Sequence, residues 1–231
     1  MARFLQALLE LEKIDSYWPI SGRTYWVDYD RGSDTANTGL RPATPFKTLS
    51  AAITASETAR LANTNVYTRN RIMVVAASVD QPALTALPLQ STDIIGIGSY
   101  GNANGAGKMA TISGSANGVA AVDAASCRGC RFKNLQFEAW DTGNAINCFE
   151  VDTLMGCVFE DCNFGGSDAA GYIDKAFAVK TSCGGCVWRN CQIGWTRSAW
   201  PRYGLHFAAG NASELIIENC IIGGVTAALY F

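Results

Sequence analysis

Long apolar runs are missing from this 231-residue chain: each hydrophobic stretch is broken by Gly, Asn or a charge well short of the roughly 18–20 residues that span a bilayer. No membrane insertion is expected. Charge is sparse and balanced, with 18 Lys and Arg against 20 Asp and Glu and no basic block. The electrostatic stripe that nucleic acid requires is therefore lacking. A single histidine, His206, and no Gly-x-Ser-x-Gly elbow leave Ser-His-Asp catalysis without its parts, and His206 reads as a structural member of a strand. The first residues, MARFLQALLELEKIDSYW, bring Glu10, Glu12 and Asp15 soon after one Arg and offer no small-residue cleavage site, so no signal peptide is read.

What is present is apolar mass and cysteine. Hydrophobic residues make up 48% of the chain, enough to bury a core in one domain or at most two. Nine cysteines lie between Cys127 and Cys220. An odd number without an export signal argues against a secreted disulfide framework.

Their positions explain them better. Set in register, the second half reads GCRFKNLQF (129–137), GCVFEDCNF (156–164), GCVWRNCQI (185–193) and ELIIENCII (214–222). Phe132, Phe159, Trp188 and Ile217 are spaced by 159 − 132 = 27, 188 − 159 = 29 and 217 − 188 = 29 residues. The same steps relate Asn134, Asp161, Asn190 and Asn219, and also Leu135, Cys162, Cys191 and Cys220. Each unit alternates like a strand, and NCFEV (147–151), AFAVK (176–180) and GLHFA (204–208) imply a second strand per unit. Self-similarity at this period signals a solenoid, whose units bury their apolar faces only by stacking.

Short strands, Gly and Asn at corners and no helix-length amphipathic segment within the units predict a mainly β fold, a right-handed single-stranded parallel β-helix. Coils would lie about 4.8 Å apart, so that Asn134, Asp161, Asn190 and Asn219 form a polar ladder. From Arg71 onward the period allows roughly six coils.

A solenoid has open ends that need cover. In TPFKTLSAAITASETARLAN, Thr44 suits an N-cap and Pro45 a first helical position, with Phe46, Leu49, Ala52 and Ile53 on one face. This helix is the expected lid. Phe4, Leu8, Leu11 and Ile14 form an apolar stripe over residues 1–20, a short amphipathic helix that must dock on something. That could be its own β-helix, a virion partner or a trimer bundle. The organisation read is 1–24, a helical anchor; 25–70, a first strand, turn and capping helix; and 71–231, the coils. The chain stops at VTAALYF without a closing helix or polar cap, which leaves that end to a continuing chain or a partner.

WVDYDRGSD, then TG, then PFKTLSAAI resembles the N-terminal signature of the pectate-lyase-like right-handed β-helix superfamily, especially the forms in bacteriophage tail spikes, tail fibres and other virion proteins. DIIGIGSYGNANGAGKMATISGS (93–115) and VAAVDAASCRGCRFKNLQF (119–137) also look like family coils. The resemblance implies a virion location, a homotrimer and contact with other virion proteins through the N-terminal segment. It does not imply an activity, because the superfamily includes lyases, hydrolases and inert shafts.

Other chemistry is weighed residue by residue. Cys127 with Cys130 and Cys183 with Cys186 have zinc-pair spacing, but the repeat sets thiols in lines rather than converging them on a point, so buried reduced thiols are expected and no metal. Asp28, Asp30 and Asp34 begin like a calcium loop, yet Gly32 and Gly39 fall where ligands belong; a capped turn fits better. No cofactor is read.

Carbohydrate chemistry keeps a case. Three segments, 138–144, 165–175 and 194–204, leave the same corner. They carry Trp140, Trp195 and Trp200 as stacking faces, Arg197 and Arg202 as donors, and Glu138, Asp141, Asp168 and Asp174 as carboxylates. Asp141, Asp168 and Asp174 are the catalytic candidates; Trp140, Trp195, Arg197 and Trp200 are the carbohydrate-binding ones. The expected function is a tailed-phage virion protein, a rigid shaft able to hold host surface polysaccharide. The alternative is a polysaccharide hydrolase or lyase of the same fold.

Overall fold

The computed structural model describes residues 22–62, 68–85, 89–98, 109–114, 118–139, 146–166, 173–195 without the Trp195 side chain, 201–208 and 212–231. Phe4, Leu8, Leu11 and Ile14 lie outside the described residues. The described chain is mainly β, a parallel solenoid with one helix, Leu49–Ala62.

Three parallel sheets run along its axis, and the chain visits them in rotation. The first contains Thr24–Val27, Asn70–Val75, Thr92–Ile97, Arg131–Lys133, Val158–Glu160, Val187–Arg189 and Ile216–Glu218. The second contains Gln81–Pro82, Ala110–Ser113, Leu135–Ala139, Asn163–Gly166, Gln192–Trp195 and Ile221–Ile222. The third runs from Leu84–Thr85 through Val122–Arg128, Asn147–Met155, Lys175–Gly184 and Tyr203–Phe207 to Ala227–Tyr230. Four turns from Arg131 onward keep the sequence period; the passes before them wind more loosely.

Phe132, Phe159, Trp188 and Ile217 are register partners, as the period requires. Three strands per turn replace the two expected. The apparently continuous motif is cut where Asn134, Asp161, Asn190 and Asn219 take φ between 52° and 54°. A left-handed residue turns the chain between the first and second sheets, and Asn tolerates that conformation better than most side chains. The ladder's lateral bonding is partial: the Asn190 amide donates to Asp161 Oδ1 at 3.2 Å, while the Asn134 amide donates to the Gly96 carbonyl at 2.9 Å. Gly129, Gly156 and Gly185 make the other left-handed corner, with φ of 61–62°, and Glu214 stands in their place in the last turn at 54°.

Aromatic rings fill the interior as a three-sided column. Phe132 stacks on Phe159, Phe137 on Phe164 and Phe149 on Phe177, at 4.9, 4.9 and 4.6 Å between centroids. Between sheets the rings meet edge to face, Phe149 lying 5.2 Å from Phe137 at 84°. Stacking along the axis follows the strand spacing, and the T-shaped contacts satisfy the ring quadrupoles across it.

All nine cysteines are free, and all but the half-buried Cys220 are buried. Cys162, Cys191 and Cys220 donate Sγ–H to the carbonyls of Phe132, Phe159 and Trp188 in the preceding turn. The lined arrangement is therefore structural, a small apolar group with one weak donor satisfied by its neighbour.

The helix joins the same core through Leu49, Ala52 and Ile53. It begins later than the expected Thr44 and Pro45, because Phe46 bridges to Val27 as an extended residue. Asp34 instead accepts from the Lys47 and Thr48 amides at 2.8 and 2.9 Å, and Thr48 Oγ1 accepts from the Ala51 amide at 3.2 Å, so Thr48 is the N-cap. Polar ties fix the helix to the second strand of the first sheet and the first strand of the second: the Asn70 side-chain amide donates to the Ser56 carbonyl at 3.0 Å, and the Leu49 amide to Gln81 Oε1 at 2.9 Å. Asp28 and Asp30 also act as turn acceptors, for the Asp30 amide at 3.1 Å and the Ser78 amide at 2.8 Å.

Candidate functional site

Segments 140–145, 167–172 and 196–200 each leave the second sheet and enter the third, in consecutive turns. The strands before them are neighbours, Ala139 pairing with Gly166 and Gly165 with Trp195. Those after them are neighbours too, Asn147 pairing with Lys175 and Lys175 with Tyr203. The strand ends that flank the three segments thus lie at one corner of the solenoid, as the sequence period requires.

Trp140, Asp141, Asp168, Arg197 and Trp200 lie outside the described residues. Trp195 ends its strand, and its side chain lies outside them as well. Asp174 is described, at the start of the third-sheet side. Its carboxylate pairs with Lys175, and Arg202 Nη1 stands 3.4 Å from Oδ1. A glycosidase needs a second carboxylate about 5–9.5 Å away. The partners proposed for that role, Asp141 and Asp168, are among the residues outside the description.

Beside Asp174 the structure places a cluster that sequence reasoning missed. Tyr203, His206 and Tyr230 meet on the outer face of the third sheet. His206 lies flat on Tyr230, with centroids 4.9 Å apart and planes 5° from parallel, and Tyr203 is 5.2 Å from each. Lys175 and Arg202 approach the Tyr203 ring at 5.9 and 5.6 Å. Partial burial, then the Lys175 charge, lowers the His206 pKa from its ordinary value, with Asp174 opposing more weakly. Among the described residues the imidazole Nδ1 has no hydrogen-bond partner. Register was the available signal: His206 pairs with Tyr230, so GLHF and ALYF lie on one another.

Along the same face, away from the corner, Lys180 Nζ sits 2.8 Å from both Glu150 and Asp152 and 3.9 Å from Asp123. These carboxylates raise the Lys180 pKa, the hydrogen bond to Asp152 contributing most. An ammonium ion of the chain's own fills this acidic patch. Among the described residues no group of three or more His, Cys, Asp or Glu is arranged to hold a metal ion.

Among the described residues the corner therefore combines the flat faces of Tyr203, His206 and Tyr230 with two cations, Lys175 and Arg202, and the carboxylate of Asp174. No protein-family model, curated protein or solved structure matches the chain.

Proposed function

We propose that this chain is a virion structural protein of a tailed bacteriophage, a spike, fibre or related appendage of the pectate-lyase-like β-helix kind, whose shaft holds host surface polysaccharide at the corner just described. The observation that carries the reading is the pairing of a continuous aromatic column with adjacent turn segments at one edge. The column makes a stiff rod, since each ring is held by partners along and across the axis. The edge supplies Lys175, Arg202, Tyr203 and Tyr230. The motif around WVDYDRGSD and PFKTLSAAI supports the virion assignment.

Homotrimerisation through a solenoid flank belongs to this reading. The last turn presents Ile217, Leu229 and Phe231 in line with Trp188, Leu205 and Phe207, with Phe231 67% exposed, an apolar surface at that end of the solenoid.

The test is a panel of purified bacterial capsule and O-antigen polysaccharides, with retention and chemical turnover measured on the same samples, beside light scattering. Retention by a trimer, weakened in Trp200→Ala and Arg202→Ala, supports the proposal. Release of reducing ends or unsaturated sugars makes the chain a hydrolase or lyase instead. Absence of both binding and turnover removes the adhesin role.

A further inference from the structure

A groove on the described residues lies far in the fold from the corner. It lies at the opposite end of the solenoid, beside the capping helix, has a volume of about 820 Å³, and is lined by Gly22, Tyr25, Leu40, Ala55, Ala59 and Ala62 among others. Two of its lining residues are tied together, the Tyr25 hydroxyl donating to the Ala55 carbonyl at 3.3 Å. Its helix wall is shallow because Ala55, Ala59 and Ala62 recur at i, i+4 and i+7, and Leu40, 44% exposed, stands at the edge with its apolar side chain toward solvent.

We propose that this groove is the seat of the chain's own residues 1–20, laid along the capping helix with Phe4, Leu8, Leu11 and Ile14 against Ala55, Ala59 and Ala62. Three observations carry the assignment. First, Gly22 is itself part of the groove wall, so the chain N-terminal to it starts at the groove mouth. A Cβ on Gly22 would meet Asn70 Oδ1 at 2.2 Å and the Arg69 carbonyl at 2.6 Å, so the backbone passes flush against the first turn and its exit point is fixed.

Second, the lengths agree. An α-helical stretch from Phe4 to Ile14 would be about 16 Å long, against about 21 Å for Leu49–Ala62 at 1.5 Å per residue. The link from Ile14 to Gly22 can reach up to about 28 Å, enough to return along the lid in either direction. Pro19 in that link ends any helix before the exit.

Third, the surfaces are complementary. Small residues on the fixed helix let a second backbone approach, and large apolar side chains on the segment fill the space they leave. Among the described residues Arg23 is the one charged residue in the groove wall, and Glu10, Glu12 and Lys13 lie off the segment's apolar stripe. An intramolecular tether also supplies a high effective concentration, which a marginal helix of this length needs.

Hydrogen exchange of the full chain tests this without depending on the virion reading. Amides of residues 4–14 should exchange at least about tenfold more slowly than unstructured rates, with no change over about a hundredfold dilution. The double variant Leu8→Asp/Leu11→Asp should lose that protection while amides of 147–183 keep theirs, and Ala59→Arg should do the same from the groove side. Free exchange of 4–14 in the unaltered protein overturns the proposal. So does protection that disappears on dilution, which would make the segment an intermolecular anchor and leave the polysaccharide test untouched.

Discussion

Phe132 lies face to face on Phe159, with ring centroids 4.9 Å apart and planes 4° from parallel, and neither ring touches solvent. Phe159 also meets Phe149 and Phe164 edge-on at 5.6 and 5.8 Å and carries Trp188 on its far side. Truncating it opens a cavity that no single neighbour can close. Phe159→Ala should cost about 3–5 kcal/mol in chemical denaturation. A loss below about 1 kcal/mol would mean the column is not a cooperative core.

Trp188 continues that ladder one turn on but brings an indole N–H that is buried without an acceptor among the described residues. An unsatisfied buried donor costs about 1–3 kcal/mol, which offsets the larger ring's burial. Trp188→Phe should therefore leave stability within about 1 kcal/mol of the parent, far from the loss in Phe159→Ala. A drop as large as the alanine variant's would show that the indole is better satisfied than its geometry suggests.

At Asn190 the backbone demands φ of 54°. Asn190→Gly should be nearly neutral, and Asn190→Ala should lose about 1–2 kcal/mol, the cost of a Cβ in the left-handed region. Equal effects of the two substitutions would place the role of Asn190 in its side-chain bond to Asp161 instead.

Acid should act in two windows. His206 has a lowered folded pKa, so below about pH 6.5 the unfolded chain binds more protons than the folded one and stability falls as pH drops. Burial would raise Glu160, but the hydrogen bond and charge of Arg131, followed by Lys133, outweigh it and hold the carboxyl below its ordinary value. That contribution is present above the unfolded carboxylate pKa of about 4.3 and is lost as pH falls through the folded value. Melting temperatures at pH 7.5 and 5.5 should differ in the parent and differ less in His206→Gln. Identical slopes would remove His206 from the account.

Thiol access gives a direct reading of the ladder. Of the nine cysteines, eight are buried and Cys220 is half-buried with a raised pKa, first through its hydrogen bond to Cys191 and then through burial. A thiol reagent should modify no more than one cysteine per native chain, slowly, and all nine in denaturant. Rapid modification of several native thiols would contradict the packing.

The sequence by itself determined the features that repeat. Spacing of 27 and 29 residues set Phe132, Phe159, Trp188 and Ile217 in one line, set the cysteines in others, and brought the strand ends that flank segments 140–145, 167–172 and 196–200 to one corner. A solenoid makes this legible because each residue's main neighbour is its own equivalent one turn away, so a one-dimensional period encodes a three-dimensional contact. What only the tertiary structure decided was what departs from the repeat. Asp34 moves the helix start to Thr48 from fourteen residues upstream, and the left-handed Asn134 divides one alternating run between two sheets. His206 finds Tyr230 where neither residue has an aromatic equivalent at Ala178 in the turn before, and the groove beside the lid arises from alanines whose spacing alone names no partner. These contacts join unlike residues at distances the period does not contain, and only the folded chain brings them within reach.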